Sequence, residues 1–140
     1  MTDFISDIKT IPYENGIVYE ALSDLNNLEK VRNRIPSDKI GDFTFDDNYC
    51  SFSIQPVGKI HFSIVDREPL KTIKFAVDRS LVDATMWIQL KNTGERETKM
   101  KLTIRADLNP FIKPMISKPL QDGINQIADM LAKIPYETLA

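Results

Sequence analysis

The single cysteine, Cys50, the single histidine, His61, and the short acidic runs at Asp46-Asp47 and at Asp66 with Glu68 are the residues with the most direct chemical potential. A nucleophilic thiolate needs a base or cation beside it, and the pattern supplies none for Cys50. Cys50 alternates with apolar neighbours on an inward position, so it reads as a small buried hydrophobe. His61 falls between Ile60 and Phe62 and projects to the opposite, solvent-facing side. A Ser-His-Asp arrangement built on it would sit where water is not excluded. Hard cations draw about six converging oxygens, more than either acidic pair offers, so both pairs read as turns. One cysteine excludes an intramolecular disulfide and a thiolate-cluster metal site, and one histidine excludes sites that need two imidazoles. The reading expects no catalytic residue, no metal and no cofactor.

The elements that must position these groups come from periodicity. Apolar residues alternate through 43–54 (Phe43, Phe45, then Cys50, Phe52, Ile54), 60–64, 73–77, 82–90 and 99–108. Such alternation marks strands with one buried face. Residues opposed in an antiparallel pair share a face, so apolar must meet apolar at each hairpin. That rule predicts Phe45 opposite Cys50, Ile54 opposite Ile60, Ile64 opposite Ile73, Val77 opposite Val82 and Ile88 opposite Met100. Shifts of two residues preserve the same parity. Trp87 points outward, opposite Lys101 in this register, with Asp83 opposite Arg105. Its ring can be covered by the lysine stem or form a contact surface for a second copy.

A long helix should follow, with Asn109 as N-cap and Pro110 in the first turn. Ile116, Leu120, Ile124, Ile127, Leu131 and Ile134 keep helical spacing, and Pro114 and Pro119 should bend or break the first part. At the N-terminus, 3–11 reads as a strand. Asn15-Gly16 fits a hairpin turn, whereas Ile17, Ala21, Leu25 and Leu28 fit a helical stripe broken near Ser23-Asp24.

The chain has 140 residues, enough for one domain with its own core. Eighteen basic against twenty acidic residues give −2, which lacks the electrostatic footprint of a general nucleic-acid binder. No basic n-region or apolar run of about 20 residues is present, so a cytoplasmic location without integral membrane association is expected.

One strand, two short helices, a six-strand antiparallel meander and a long C-terminal helix make the helix-grip order, an α+β fold. Ile11-Pro12, Val18-Tyr19, Leu22-Ser23-Asp24-Leu25, Trp87-Ile88-Gln89-Leu90, Lys99-Met100-Lys101-Leu102, Asn109-Pro110-Phe111 and Lys118-Pro119-Leu120 carry the likeness. On these residues the chain resembles the START-like superfamily, also called SRPBCC, which includes birch-pollen-allergen-like proteins and polyketide cyclases. The likeness spans 1–140 as a single domain and favours the helical reading after Asn15.

The resemblance implies a curved sheet gripping a proline-bent helix, with a cavity between them. The residues expected to line it are Phe43, Phe52, Phe62, Phe75, Met86, Met100, Leu102, Met115, Ile116, Leu120 and Ile124. No ionisable side chain falls on that face in the central strands, whereas cyclases of the superfamily are expected to carry one. Tyr19, Tyr49 and Asn109 are the polar groups that could serve a reaction from the cavity ends, and the sequence favours none of them. The leading expectation is therefore non-catalytic binding of a hydrophobic small molecule, such as a lipid, isoprenoid or polyketide-like compound. A polyketide cyclase or dehydratase is the alternative, and an interaction module with a filled core is a third. A homodimer would use the outer sheet face near Trp87.

Overall fold

The computed structural model describes residues 2–29, 41–54, 58–79 and 82–136. Strands β1 (Thr2–Ile5) and β2 (Lys9–Ile11) precede helices α1 (Asn15–Ser23) and α2 (Asn26–Glu29). The meander follows as β3 (Gly41–Phe45), β4 (Tyr49–Ile54), β5 (Gly58–Glu68), β6 (Thr72–Arg79), β7 (Val82–Gly94) and β8 (Glu97–Asp107), and α3 (Lys113–Ala132) closes the chain. All pairings are antiparallel in the order β1-β8-β7-β6-β5-β4-β3, with β2 also on β8. The fold is α+β helix-grip. Asn15-Gly16 opens a helix, and α1 ends at Ser23 as its stripe predicts. No helix among the described residues is long and apolar enough to cross a membrane.

Parity placed every described strand on the correct face, yet most registers differ from the expected ones. Phe45 does oppose Cys50. Elsewhere Ile60 meets Phe52, Ile64 meets Phe75, Val77 meets Ala84 and Ile88 meets Leu102, each two residues from the predicted partner. The β5–β6 turn shows why. Lys71 N–H donates to the Glu68 carbonyl at 3.0 Å, and Leu70 takes the left-handed conformation with φ 67°. A β-turn over 68–71 with a left-handed residue at its third position sets its own register, and glycine is the usual occupant there. A β-bulge between Ile64 and Asp66 then leaves Val65 exposed.

The expected N-terminal strand is split in two. Ser6 N–H donates to the Leu102 carbonyl at 2.9 Å, and the Ser6 hydroxyl accepts the Leu102 N–H at 2.9 Å. The side chain thus takes the place of a main-chain acceptor, and the chain leaves the ladder at Asp7-Ile8 before rejoining it. Ser6 is buried. Ser6→Ala strands the buried Leu102 N–H and is expected to cost about 1–3 kcal/mol in urea unfolding, with the fold retained.

Helix α3 also differs from expectation. It begins at Lys113, because Asn109 instead caps the turn before it, its Oδ1 accepting the Phe111 N–H at 2.8 Å. The helix runs unbroken through Pro119 over 20 residues, a length of about 30 Å. Pro119 lacks the N–H that would bond the Met115 carbonyl one turn earlier. Met115 lies in the exposed first turn, where water can satisfy that group.

Candidate functional site

The inward residues of the meander and the apolar stripe of α3 form one continuous core. Phe62 on β5 stands between Cys50 and Val77, and Phe75 on β6 between Ile64 and Met86. Their rings meet edge to face, with centroids 6.5 Å apart and planes at 89°. Met86 opposes Ile104, Met100 opposes Leu90, and Leu102 opposes Ile88. Ile116, Leu120 and Ile124 are buried on one stripe of α3, which approaches β8, β1 and β2 most closely.

Phe62, Phe75, Met100, Leu102 and Ile124 are only 0–1% exposed. Side chains so fully covered border no void that admits water. The side chains of Phe43 and Phe52 lie outside the described residues. Met115 corrects the expected lining: it is 69% exposed, beside Phe111 at 87%. Successive helical residues are about 100° apart, so with Ile116 turned to the core Met115 turns to solvent.

A polar stripe beside the apolar one ties α3 to the sheet. Gln121 Nε2 donates to the Ile5 carbonyl at 2.8 Å, Asn125 Oδ1 accepts the Asp7 N–H at 3.0 Å, and Asp129 pairs with Lys9. Residues four apart share one helix face, so the three grip successive points of the β1–β2 segment. Ser6 N–H points to β8, so the next N–H along the chain, that of Asp7, points away from the sheet edge and is available to α3. Among the described residues, the first turns of α3, before Pro119, have no such grip; Ile116 is buried there, and Ser117 and the preceding Ile112 are half-buried. The recurrence of Gln, Asn and Asp at four-residue spacing was the available signal.

Burial pushes the Cys50 thiol far up from its ordinary value, with the Asp46 charge adding to the effect. It is a protonated core side chain, as its alternation predicts. Asp46 Oδ1 accepts the Asn48 N–H at 3.0 Å in the β3–β4 turn. His61 does lie on the outer face but is half-buried, stacked on Tyr49 and hydrogen-bonded to its hydroxyl through Nδ1. Tyr49 therefore serves the outer face, and Asn109 the turn before α3. Tyr19 is half-buried against the core. Among the described residues, no three of His, Cys, Asp or Glu converge as metal ligands.

Trp87 is paired differently from the expected contact. Its strand neighbours are Lys74 and Thr103, and the Arg105 guanidinium carbon lies 5.6 Å from the ring centroid. Arg105 also bonds Asp3 at 2.9 Å, which holds the Asp3 carboxyl below its usual value and raises the guanidinium's. Lys101 stands opposite Gln89, and Thr85 rather than Asp83 opposite Arg105, because of the two-residue register shift.

No protein-family model and no curated protein matches the chain. Solved structures do. A START superfamily protein from Mycobacterium smegmatis superposes with a TM-score of 0.69 at 10% identity, over 99% of both chains. A point mutant of norcoclaurine synthase from Thalictrum, in complex with a transition-state analogue, gives 0.68 at 15% identity, over 99% of this chain and 98% of that one. A protein from Thermus thermophilus gives 0.66 at 14% identity, over 99% and 97%. The fold is therefore START-like, the birch-pollen-allergen-like architecture anticipated from the sequence.

Proposed function

We propose that this START-like chain, a single domain over 1–140, is a non-catalytic intracellular protein that binds a hydrophobic small molecule between the concave sheet face and α3. The carrying observation is an apolar sheet face under a helix that, among the described residues, is gripped along Gln121, Asn125 and Asp129 and has no polar grip before Pro119. Entry follows from lifting the first turns of α3 about Pro119, with Met86 and Met100 repacking around the guest. An apolar ligand losing about 400 Å² gains roughly 10 kcal/mol, against an association cost of about 4–15 kcal/mol. The ease of displacing the helix then decides the affinity. A norcoclaurine synthase structure holding dopamine and hydroxybenzaldehyde gives a precedent for small aromatic guests in this fold.

The non-catalytic part rests on the described inward residues of the meander, which offer no general acid or base within reach of a guest. Lys9, at the β2 edge, is already paired with Asp129. The near-zero exposure of Phe62 and Phe75 favours a second reading, an interaction module with a filled core. A homodimer through Trp87 has less support, since Arg105 lies over its ring.

Native mass spectrometry of purified protein and titration with a hydrophobic dye separate the two. Binding predicts a retained compound or a saturable dye signal, and a thermal midpoint that rises with dye concentration. Gln121→Ala with Asn125→Ala releases the helix and is expected to strengthen dye binding severalfold. No retained compound and no saturable signal in either protein would leave the filled-core reading.

A further inference from the structure

On the outer face of the sheet, away from α3, β7 and β8 set Lys91 directly opposite Lys99 and Gln89 directly opposite Lys101. Like charges directly opposed across a strand pair destabilise it, and the chain as a whole is slightly acidic. Lys91 and Lys101 form no ion pair or hydrogen bond through their side chains among the described residues, and Lys99 donates to the Thr10 hydroxyl. These residues surround an open depression of about 260 Å³, with Ile8 on one wall and no carboxylate in its lining. The chain's departure from the ladder at Asp7-Ile8 puts Ile8 there, 66% exposed. The Gln89 amide is oriented as well. Its Oε1 accepts the Thr103 hydroxyl at 2.9 Å, leaving its two N–H donors uncommitted.

We propose that this depression binds a phosphate-bearing group, held by Lys91, Lys99, Lys101 and the Gln89 amide, with a small apolar portion against Ile8. The lining side chains are donors or apolar, which suits an anion and excludes a cation. The volume lies just below the range of drug-sized ligand pockets, the scale of a phosphate ester. Bound anion would offset the Lys91–Lys99 repulsion that the bare sheet carries. Leu90 and Met100 also border the depression, but the lysines and Gln89 that hold the anion are on the opposite sheet face from the proposed hydrophobic site, so their substitution tests this site separately.

The test is a titration of isotope-labelled protein with inorganic phosphate at constant ionic strength, followed by amide NMR shifts. The expected result is saturable movement of Ile8, Gln89, Lys91, Lys99 and Lys101. Lys91→Ala or Lys101→Ala should each weaken binding about tenfold, which is about 1.4 kcal/mol. Lys74→Ala, on the same face but outside the depression, should change nothing. Vesicles of phosphatidylglycerol, compared with phosphatidylcholine, distinguish the source. Saturable phosphate binding assigns a soluble phosphate compound, whereas Lys101-dependent binding to phosphatidylglycerol alone assigns a lipid headgroup. No response to either probe, or responses unchanged in Lys91→Ala and Lys101→Ala, would overturn the site.

Discussion

Phe75→Ala is expected to lower the unfolding free energy by about 3–5 kcal/mol, the cost of removing a large aromatic from a core that cannot collapse around the loss. The ring is 1% exposed, stands between Ile64 and Met86, and meets Phe62 edge to face. Against a typical total of about 5–15 kcal/mol, this leaves a marginal protein. A domain this size shifts by about 3–5 °C per kcal/mol, so the midpoint should fall by roughly 10–20 °C. Phe62→Ala should cost a similar amount, and the double variant less than the sum because each ring is part of the other's packing. Urea and thermal unfolding provide the measurement. A loss below about 1 kcal/mol would mean that the space beside Phe75 is already open, which favours a preformed pocket over one made by moving α3. Recovery of stability when a hydrophobic compound is added to Phe75→Ala would show that a guest can occupy the vacated volume.

That the sequence revealed these faces, but not the contacts across them, has a physical basis. Side-chain direction in a strand repeats every two residues, so Phe62, Phe75, Met86 and Leu102 were assignable to one face from alternation alone. A two-residue slip keeps every face correct, and only the turn resolves it. At Pro69-Leu70-Lys71 the resolving feature is a leucine in a left-handed conformation, which its residue type does not advertise. The β7–β8 pair has its own two-residue slip, with an irregularity between Asn92 and Gly94, and it put Trp87 opposite Thr103 and beside Arg105 rather than opposite Lys101. The grip on α3 was hidden for another reason. Gln121 and Asn125 bond main-chain groups of Ile5 and Asp7, and every residue has such groups. The Ser6 hydroxyl, which accepts the Leu102 N–H where the chain leaves the ladder, acts through geometry that spacing does not encode. Met115 failed because Met and Ile at adjacent helical positions are equally apolar, yet only one can face the sheet.

Tyr136→Ala is expected to be comparably damaging, at about 3–5 kcal/mol, though the residue lies beyond the end of α3. Tyr136 has 0% exposure, its hydroxyl donates to the Leu131 carbonyl at 2.6 Å, and its ring meets Tyr13 with centroids 5.9 Å apart at 70°. Leu131 is in the last turn of α3, where carbonyls lack intrahelical partners. The phenol therefore caps the helix from inside the core. The Tyr13 carbonyl in turn accepts the Thr98 hydroxyl at 2.8 Å, so Tyr136 ties the helix end to the segment after β2 and to β8. Tyr136→Phe isolates the cap from the packing and should cost about 1–3 kcal/mol at neutral pH, by leaving the Leu131 carbonyl unpaired. Burial pushes the Tyr136 hydroxyl well above its ordinary value of 10.0. The unfolded chain gives up that proton first, so the stability held through it is complete below about pH 10 and declines as the solution becomes more alkaline. Tyr136→Phe lacks that slope, and the gap between the two proteins should therefore narrow above about pH 10 in denaturant titrations. A gap that stayed constant into the alkaline range would show that the hydroxyl reaches solvent and that the helix end is not sealed.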